Sequence, residues 1–139
     1  MFLWTVYPFL PEALDVIKAW GFKYKSIAFQ WVKLNPVSLT PFYGLGRWTR
    51  GNTEPCLLAT KGHPHRIADD IFQLVVCPRE RHSQKPSLVR DQIVKLMGDV
   101  SRIELFARER ISGWDAVGYE IDEKDIRLAL AEKIAEIDE

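Results

Sequence analysis

Cysteine is scarce in this sequence: Cys56 and Cys77 are the only two in 139 residues. Both fall in apolar stretches, which reads as reduced core thiols of a cytosolic or nuclear protein and excludes a disulfide framework. Close metal-ligand spacing is missing as well. Cys56, His63, His65, Cys77 and His82 contain neither a Cys-x-x-Cys nor a His-x-x-x-His pair, so no metal site is predicted. The apolar start, Met1 to Pro11, has no basic leader and is interrupted by Pro8, so neither a signal peptide nor a membrane span is expected. Net charge is absent too, because 19 Lys and Arg balance 19 Asp and Glu. Contact with nucleic acid would then depend on a local basic cluster, not on the field of the whole molecule. There are no internal repeats and no low-complexity tracts.

What remains is a chain that is 47% apolar and 27% charged, the composition of one globular α/β domain with a sizeable core. Phe2 to Tyr7 reads as a buried strand bounded by Pro8. Pro11 and Glu12 open a helix with Ala13, Leu14, Ile17 and Trp20 on one side, and Gly21 closes it. Tyr24 to Leu34 alternates through Ile27, Phe29, Trp31 and Lys33 as a second strand, so strand, helix and strand form a crossover unit. Further strands are expected at Glu54 to Thr60 and Ile71 to Cys77. Pro86 begins a helix striped with Val89, Ile93 and Leu96, and Gly98 ends it. In the next strand Ile103, Leu105 and Ala107 lie on one face and Glu104 and Phe106 on the other. Glu104 and Arg108 stand near its carboxyl end, where open α/β sheets put ligands. Glu109 to Glu120 is expected as a loop. Asp122 to Glu139 reads as an amphipathic helix through Ile126, Leu130, Ile134 and Ile137.

Asn35 to Thr53 carries Pro36, Pro41, Gly44, Gly46 and Gly51 and no period, a long loop of the kind that often serves function. Within it, Arg47 and Arg50 flank Trp48. A groove that stacks a base and neutralises phosphate needs these residue types, although a Trp tucked into the core is the bland alternative.

Several ordered segments carry a resemblance: Phe2-Leu-Trp-Thr, Leu10-Pro-Glu-Ala-Leu, Ala19-Trp-Gly-Phe-Lys-Tyr-Lys, Gly46-Arg-Trp-Thr-Arg, Cys56-Leu-Leu-Ala-Thr-Lys-Gly, His82-Ser-Gln-Lys-Pro, Glu104-Leu-Phe-Ala-Arg and Gly113-Trp-Asp. Together, from residue 1 to about Ile121, they resemble the MT-A70 family of S-adenosylmethionine-dependent adenine methyltransferases. The resemblance implies a Rossmann-like methyltransferase fold over residues 1 to 121, followed by the helix of residues 122 to 139. It also implies S-adenosyl-L-methionine as cofactor and DNA or RNA adenine as target. Lys85 resembles the lysine that meets the methionine carboxylate, Glu104 and Arg108 resemble residues near the cofactor ribose, and Arg47, Trp48, Arg50 and Glu54 resemble the substrate loop and its end. Tyr119 stands where the family usually has Asn beside the cofactor adenine. It retains a ring for stacking but loses a two-point amide contact.

The family's catalytic Asp-Pro-Pro-Trp lies before the segment resembling Phe2-Leu-Trp, and these 139 residues do not contain it. No catalytic residue is assigned, and the fold is expected to lack the strand that bears the motif. Three expectations follow. The chain is a methyltransferase that is inactive alone; or it is a non-catalytic binding or scaffold subunit, paired through an open sheet edge with a second copy or an active subunit, or holding nucleic acid; or it is the carboxyl-terminal piece of a longer reading frame, with Met1 an internal start. A bacterial or phage-encoded cytoplasmic protein, or a nuclear one in a eukaryote, is expected.

Overall fold

The computed structural model describes residues 1–137 and divides into two compact units, Met1–Gly98 and Asp99–Glu139. Among the described residues no helix is long and apolar enough to cross a membrane.

In the first unit, helix α1 spans Leu10–Ala19, entered through a 3-10 turn at Tyr7–Phe9 and left through Gly21 at φ +76°. Ala13 and Ile17, one helical turn apart, are its buried residues. They pack with Leu57 and Ala59 of the sheet, and Leu3, Leu10, Phe22 and Ile27 surround them. Leu14 and Trp20, read as part of the same apolar side, are exposed. The correction has a geometric cause: the buried stripe is one residue wide, and Leu14 lies about 100° around the helix from Ala13.

Four strands form the sheet: β1 (Phe2–Trp4), β2 (Lys23–Leu34), β3 (Thr53–Thr60) and β4 (Leu74–Pro78), in the order β1-β3-β2-β4. β3 runs antiparallel to both of its neighbours, and β2 and β4 are parallel. β1 and β2 therefore point the same way, as a crossover requires, with β3 between them. β4 begins at Leu74, not at Ile71 as expected, and Leu74 and Val76 are exposed on this edge strand.

β1 is shorter than the Phe2 to Tyr7 run, and Pro55 explains where it stops. The Met1 and Ala59 backbones exchange both bonds, at 2.8 and 3.0 Å. Four residues further along each strand, Thr5 N–H donates to Pro55 O at 3.1 Å, and the return bond is missing because proline has no N–H. Pro55 is fully buried within a central strand, a position proline normally avoids, and it is tolerated because its imide nitrogen faces the end of β1. Helix α2 (Ser87–Met97) follows Pro86, buries Val89 and Ile93, and ends at Gly98 with φ +80°.

The second unit contains a parallel pair, β5 (Ile103–Leu105) and β6 (Asp115–Val117), then α3 (Tyr119–Asp122) and α4 (Ile126–Ile137). Phe106 adopts φ +57°, so β5 ends at Leu105 and the expected alternation through Ala107 breaks there. Ala107 is nevertheless buried, and its N–H donates to Val117 O at 3.0 Å. β6 lies inside the stretch expected to be a loop. Gly118 permits the close crossing beside it: a Cβ there would stand 2.6 Å from Ala107 O. On α4 the inward stripe is Ile126, Ala129, Leu130 and Lys133, with Ala129 buried, while Ile134 and Ile137 are exposed. The stripe is thus rotated from the expected one, and Lys133 joins it because it reaches Asp115 of β6 at 3.1 Å. The part of the expected helix at residues 138–139 lies outside the described residues.

The packing of α1 gives a stability prediction. Ile17→Ala should cost about 2–5 kcal/mol through lost burial and a residual cavity, and Leu14→Ala under about 1 kcal/mol. Urea unfolding of the two variants measures the difference, and equal losses would mean that α1 packs on another face.

Candidate functional site

Alternation brings one set of side chains to the sheet face opposite α1: Phe2 and Trp4 from β1, Phe29, Trp31 and Lys33 from β2, and Glu54 and Cys56 from β3. Most are aromatic or apolar; Lys33 and Glu54 are the exceptions, and Glu54 is only 3% exposed. A carboxylate so far from water needs cations or donors on both oxygens. Lys33 Nζ lies 2.6 Å from Oε2. Lys85 Nζ hydrogen-bonds Oε1 from the loop that leads into α2. Tryptophans frame the cluster. Lys33 lies 5.1 Å from the centroid of Trp31, Lys85 lies 5.9 Å from that of Trp4, and the two rings meet edge to face at 6.3 Å. Trp31 is fixed in turn by its Nε1–H, which donates to Cys77 O at 3.1 Å.

The loop carrying Lys85 is tied on both sides of that residue. Gln84 Nε2 donates to one oxygen of Glu80 at 2.7 Å, and Ser87 approaches the other with its N–H at 3.4 Å and its hydroxyl at 3.3 Å. Pro86, at the N-cap of α2, has no side chain able to cap the helix, and Glu80 supplies that acceptor from seven residues upstream. The residues on either side of Lys85 are thereby tied to one carboxylate.

The expected substrate loop stands on a fixed base. Lys33 N–H donates to Asn52 O at 2.8 Å and Phe42 N–H to Lys33 O at 2.9 Å, so both roots of the loop hang on the backbone of one residue. Arg79 stacks on Phe42, its guanidinium carbon 3.6 Å from the ring centroid. Beyond the roots the glycines let the two arms close: a Cβ on Gly44 would overlap Gly51 O, and one on Gly46 would overlap Thr49 O. These glycines serve chain crossing. Arg47 and Trp48 lie at the tip, Trp48 is 99% exposed, and Arg50 stacks on Tyr43 at 4.7 Å. The alternative of a Trp tucked into the core is excluded.

Of the residues singled out from the sequence, the first unit joins Lys85 to Glu54 and keeps Arg47, Trp48 and Arg50 on the loop whose far end runs into Glu54's strand. In the second unit Glu104 is half-buried on β5, opposite Ala116. Arg108 Nε donates to Glu120 at 2.9 Å, and Tyr119, exposed, opens α3 beside that glutamate. A fixed guanidinium next to a carboxylate has donors and acceptors suited to paired hydroxyls. Lys33, Glu80 and Glu120 were not foreseen as site residues. The signal for Lys33 lay in its place on an aromatic, inward-facing alternation, where a charge requires a partner.

The MT-A70 family model matches residues 1–120. The type II methyltransferase M.MunI of Mycoplasma sp is 37% identical over 140 aligned residues, covering 98% of this chain and 56% of that protein. An N(6)-adenosine-methyltransferase MT-A70-like protein of Arabidopsis thaliana is 26% identical over 125 residues, 88% of this chain and 18% of its own length. Among solved structures, M1.HpyAVI shares the fold with a TM-score of 0.54 and 19% identity, over 85% of this chain and 64% of that one. The chain thus spans little more than half of M.MunI and less than a fifth of the plant protein.

Burial beneath this cluster pushes the Cys56 thiol up to about 12 from its ordinary 9. The unfolded chain releases that proton near pH 9 and the folded chain holds it, so above pH 9 the unfolded state binds fewer protons and stability falls until about pH 12. Melting temperatures from pH 8.5 to 11 should therefore drop more steeply for the natural chain than for Cys56→Ala, and parallel slopes would contradict the assignment.

Proposed function

Because this chain belongs to the MT-A70 family, we propose that it takes part in methyl transfer from S-adenosyl-L-methionine to the exocyclic N6 amine of adenine in DNA or RNA. The observation that carries this reading is the Glu54 cluster. Two lysine ammoniums share one buried carboxylate, so the site keeps one formal positive charge for an anionic ligand. That fits the methionine carboxylate of the cofactor, with Lys85 as the contacting group. When bound, the cofactor supplies an activated methyl group on sulfonium. Glu104, Arg108 and Tyr119 are proposed as cofactor contacts of the second unit, with Glu120 holding the Arg108 guanidinium.

Arg47, Trp48 and Arg50 are proposed as the nucleic-acid contacts. An exposed indole flanked by two guanidiniums stacks an unpaired base and neutralises phosphate, and adenine must leave its stack before its amine is reached. A purine amine is a weak nucleophile and needs acceptors that hold it as its geometry changes. No side chain described above is given that task. We place it on an Asp-Pro-Pro-Trp segment outside these 139 residues, in the same polypeptide or in a partner, and these residues alone are proposed to be inactive. A second reading, a non-catalytic subunit that completes a sheet or holds nucleic acid, draws on the exposed Leu74 and Val76 of the β4 edge.

The test is transfer of radiolabelled methyl to adenine-containing DNA and RNA, by the chain alone and mixed with the portion of M.MunI that this chain does not cover. Methylation in the mixture that Lys85→Ala abolishes supports the enzyme reading. Nucleic-acid binding without cofactor binding supports the second. In either case Trp48→Ala should weaken nucleic-acid binding about 5- to 100-fold, the effect of losing one stacked base. Unchanged binding would remove the loop from the interface.

A further inference from the structure

Lys33 and Lys85 meet the same carboxylate in different settings. The Lys33 side chain is 20% exposed and that of Lys85 34%, so the ammonium that a ligand reaches first is Lys85. Lys33 occupies Oε2 of Glu54 and leaves Oε1 to Lys85. The formal charges are two positive and one negative. With Lys33 in place, Glu54 is shared and cannot cancel the charge on Lys85. Without it, Glu54 and Lys85 would form a neutral pair, and an approaching carboxylate would find no net attraction.

We infer that Lys33 is a positioning residue which, by engaging the buried Glu54, keeps the charge of Lys85 available and makes the cluster selective for a ligand bearing a carboxylate. The inference rests on the proposed assignment of Lys85 to the methionine carboxylate and adds a residue that does not touch the cofactor. It also gives Lys33 two linked tasks. Its side chain sets the charge of the cluster, and its backbone N–H and C=O hold the two roots of the Arg47–Trp48 loop. The rings of Trp4 and Trp31 limit where the two ammoniums can go, so the sharing of Glu54 has a defined geometry.

Calorimetric titration of the full chain with S-adenosylmethionine and with its decarboxylated form tests this. The natural chain should prefer the carboxylate-bearing form. Lys33→Met should lower that preference about tenfold or more, the effect of one charge-assisted contact, while affinity for the decarboxylated form changes little. Lys33→Arg should keep the preference. Combining Lys33→Met with Glu54→Gln should restore most of it, because Lys85 is again uncancelled; a merely structural role for Lys33 would leave the double variant no better than the single one. Should Lys33→Met fail to fold, as melting curves would show, Lys33→Arg and the double variant still decide the matter, since each retains one net positive charge. A preference unaffected by Lys33→Met, or lost in the double variant, overturns the inference and leaves the Lys85 assignment standing. Absence of any preference in the natural chain overturns that assignment, and the inference with it.

Discussion

A carboxylate shut away from water is costly unless cations meet it, and Glu54 is met by two. Much of the first unit is arranged around that requirement. β3 places the carboxylate, β2 presents Lys33 two residues beyond Trp31, β1 ends on Trp4, and the lead-in to α2 is clasped by Glu80 so that Lys85 arrives from the loop. With an apolar residue at position 54 neither ammonium would have a carboxylate to meet on the sheet. The desolvation cost of three charges is offset by mutual attraction, and the surplus charge is the property from which the functional proposal is built.

Rigidity and exposure are divided along the chain in the same unit. The loop after β2 has fixed roots and a tip with a fully exposed tryptophan. The exposed indole adds no burial to the core, so the ring is left accessible for the contact proposed above. The glycines that allow the tip to form leave the two arms almost in backbone contact, which makes the loop narrow below its tip.

The strongest patterns were legible without coordinates. Helix α1 with its Gly21 stop, α2 with its Gly98 stop, and strands β2 and β3 all followed from period, proline and glycine. The misreadings have separate physical causes. The β1 end and the Phe106 break depend on a single missing N–H and a single left-handed φ, neither of which disturbs hydropathy. β6 is three residues long, too short for a period to show. On α4 the stripe was displaced because a lysine tied to Asp115 takes an inward place that a hydropathy pattern assigns to isoleucine. For the site, Lys85 and Glu54 came from resemblance to a family, and the structure joined them. Lys33 was visible as an alternating strand residue, but its role became apparent only when the register set Trp31 opposite Glu54.

Pro55 has a consequence for how the sheet assembles. A three-residue edge strand such as β1 pairs through few hydrogen bonds and would tolerate sliding along β3 were the ladder uniform. Sliding toward the start of β3 sets β1 carbonyls against an imide nitrogen that cannot donate, and each such alignment forfeits a bond. The proline therefore acts as a register mark: with Trp4 opposite Cys56 the imide nitrogen lies just past the end of β1, and a slip in that direction is disfavoured by the bond it would forfeit.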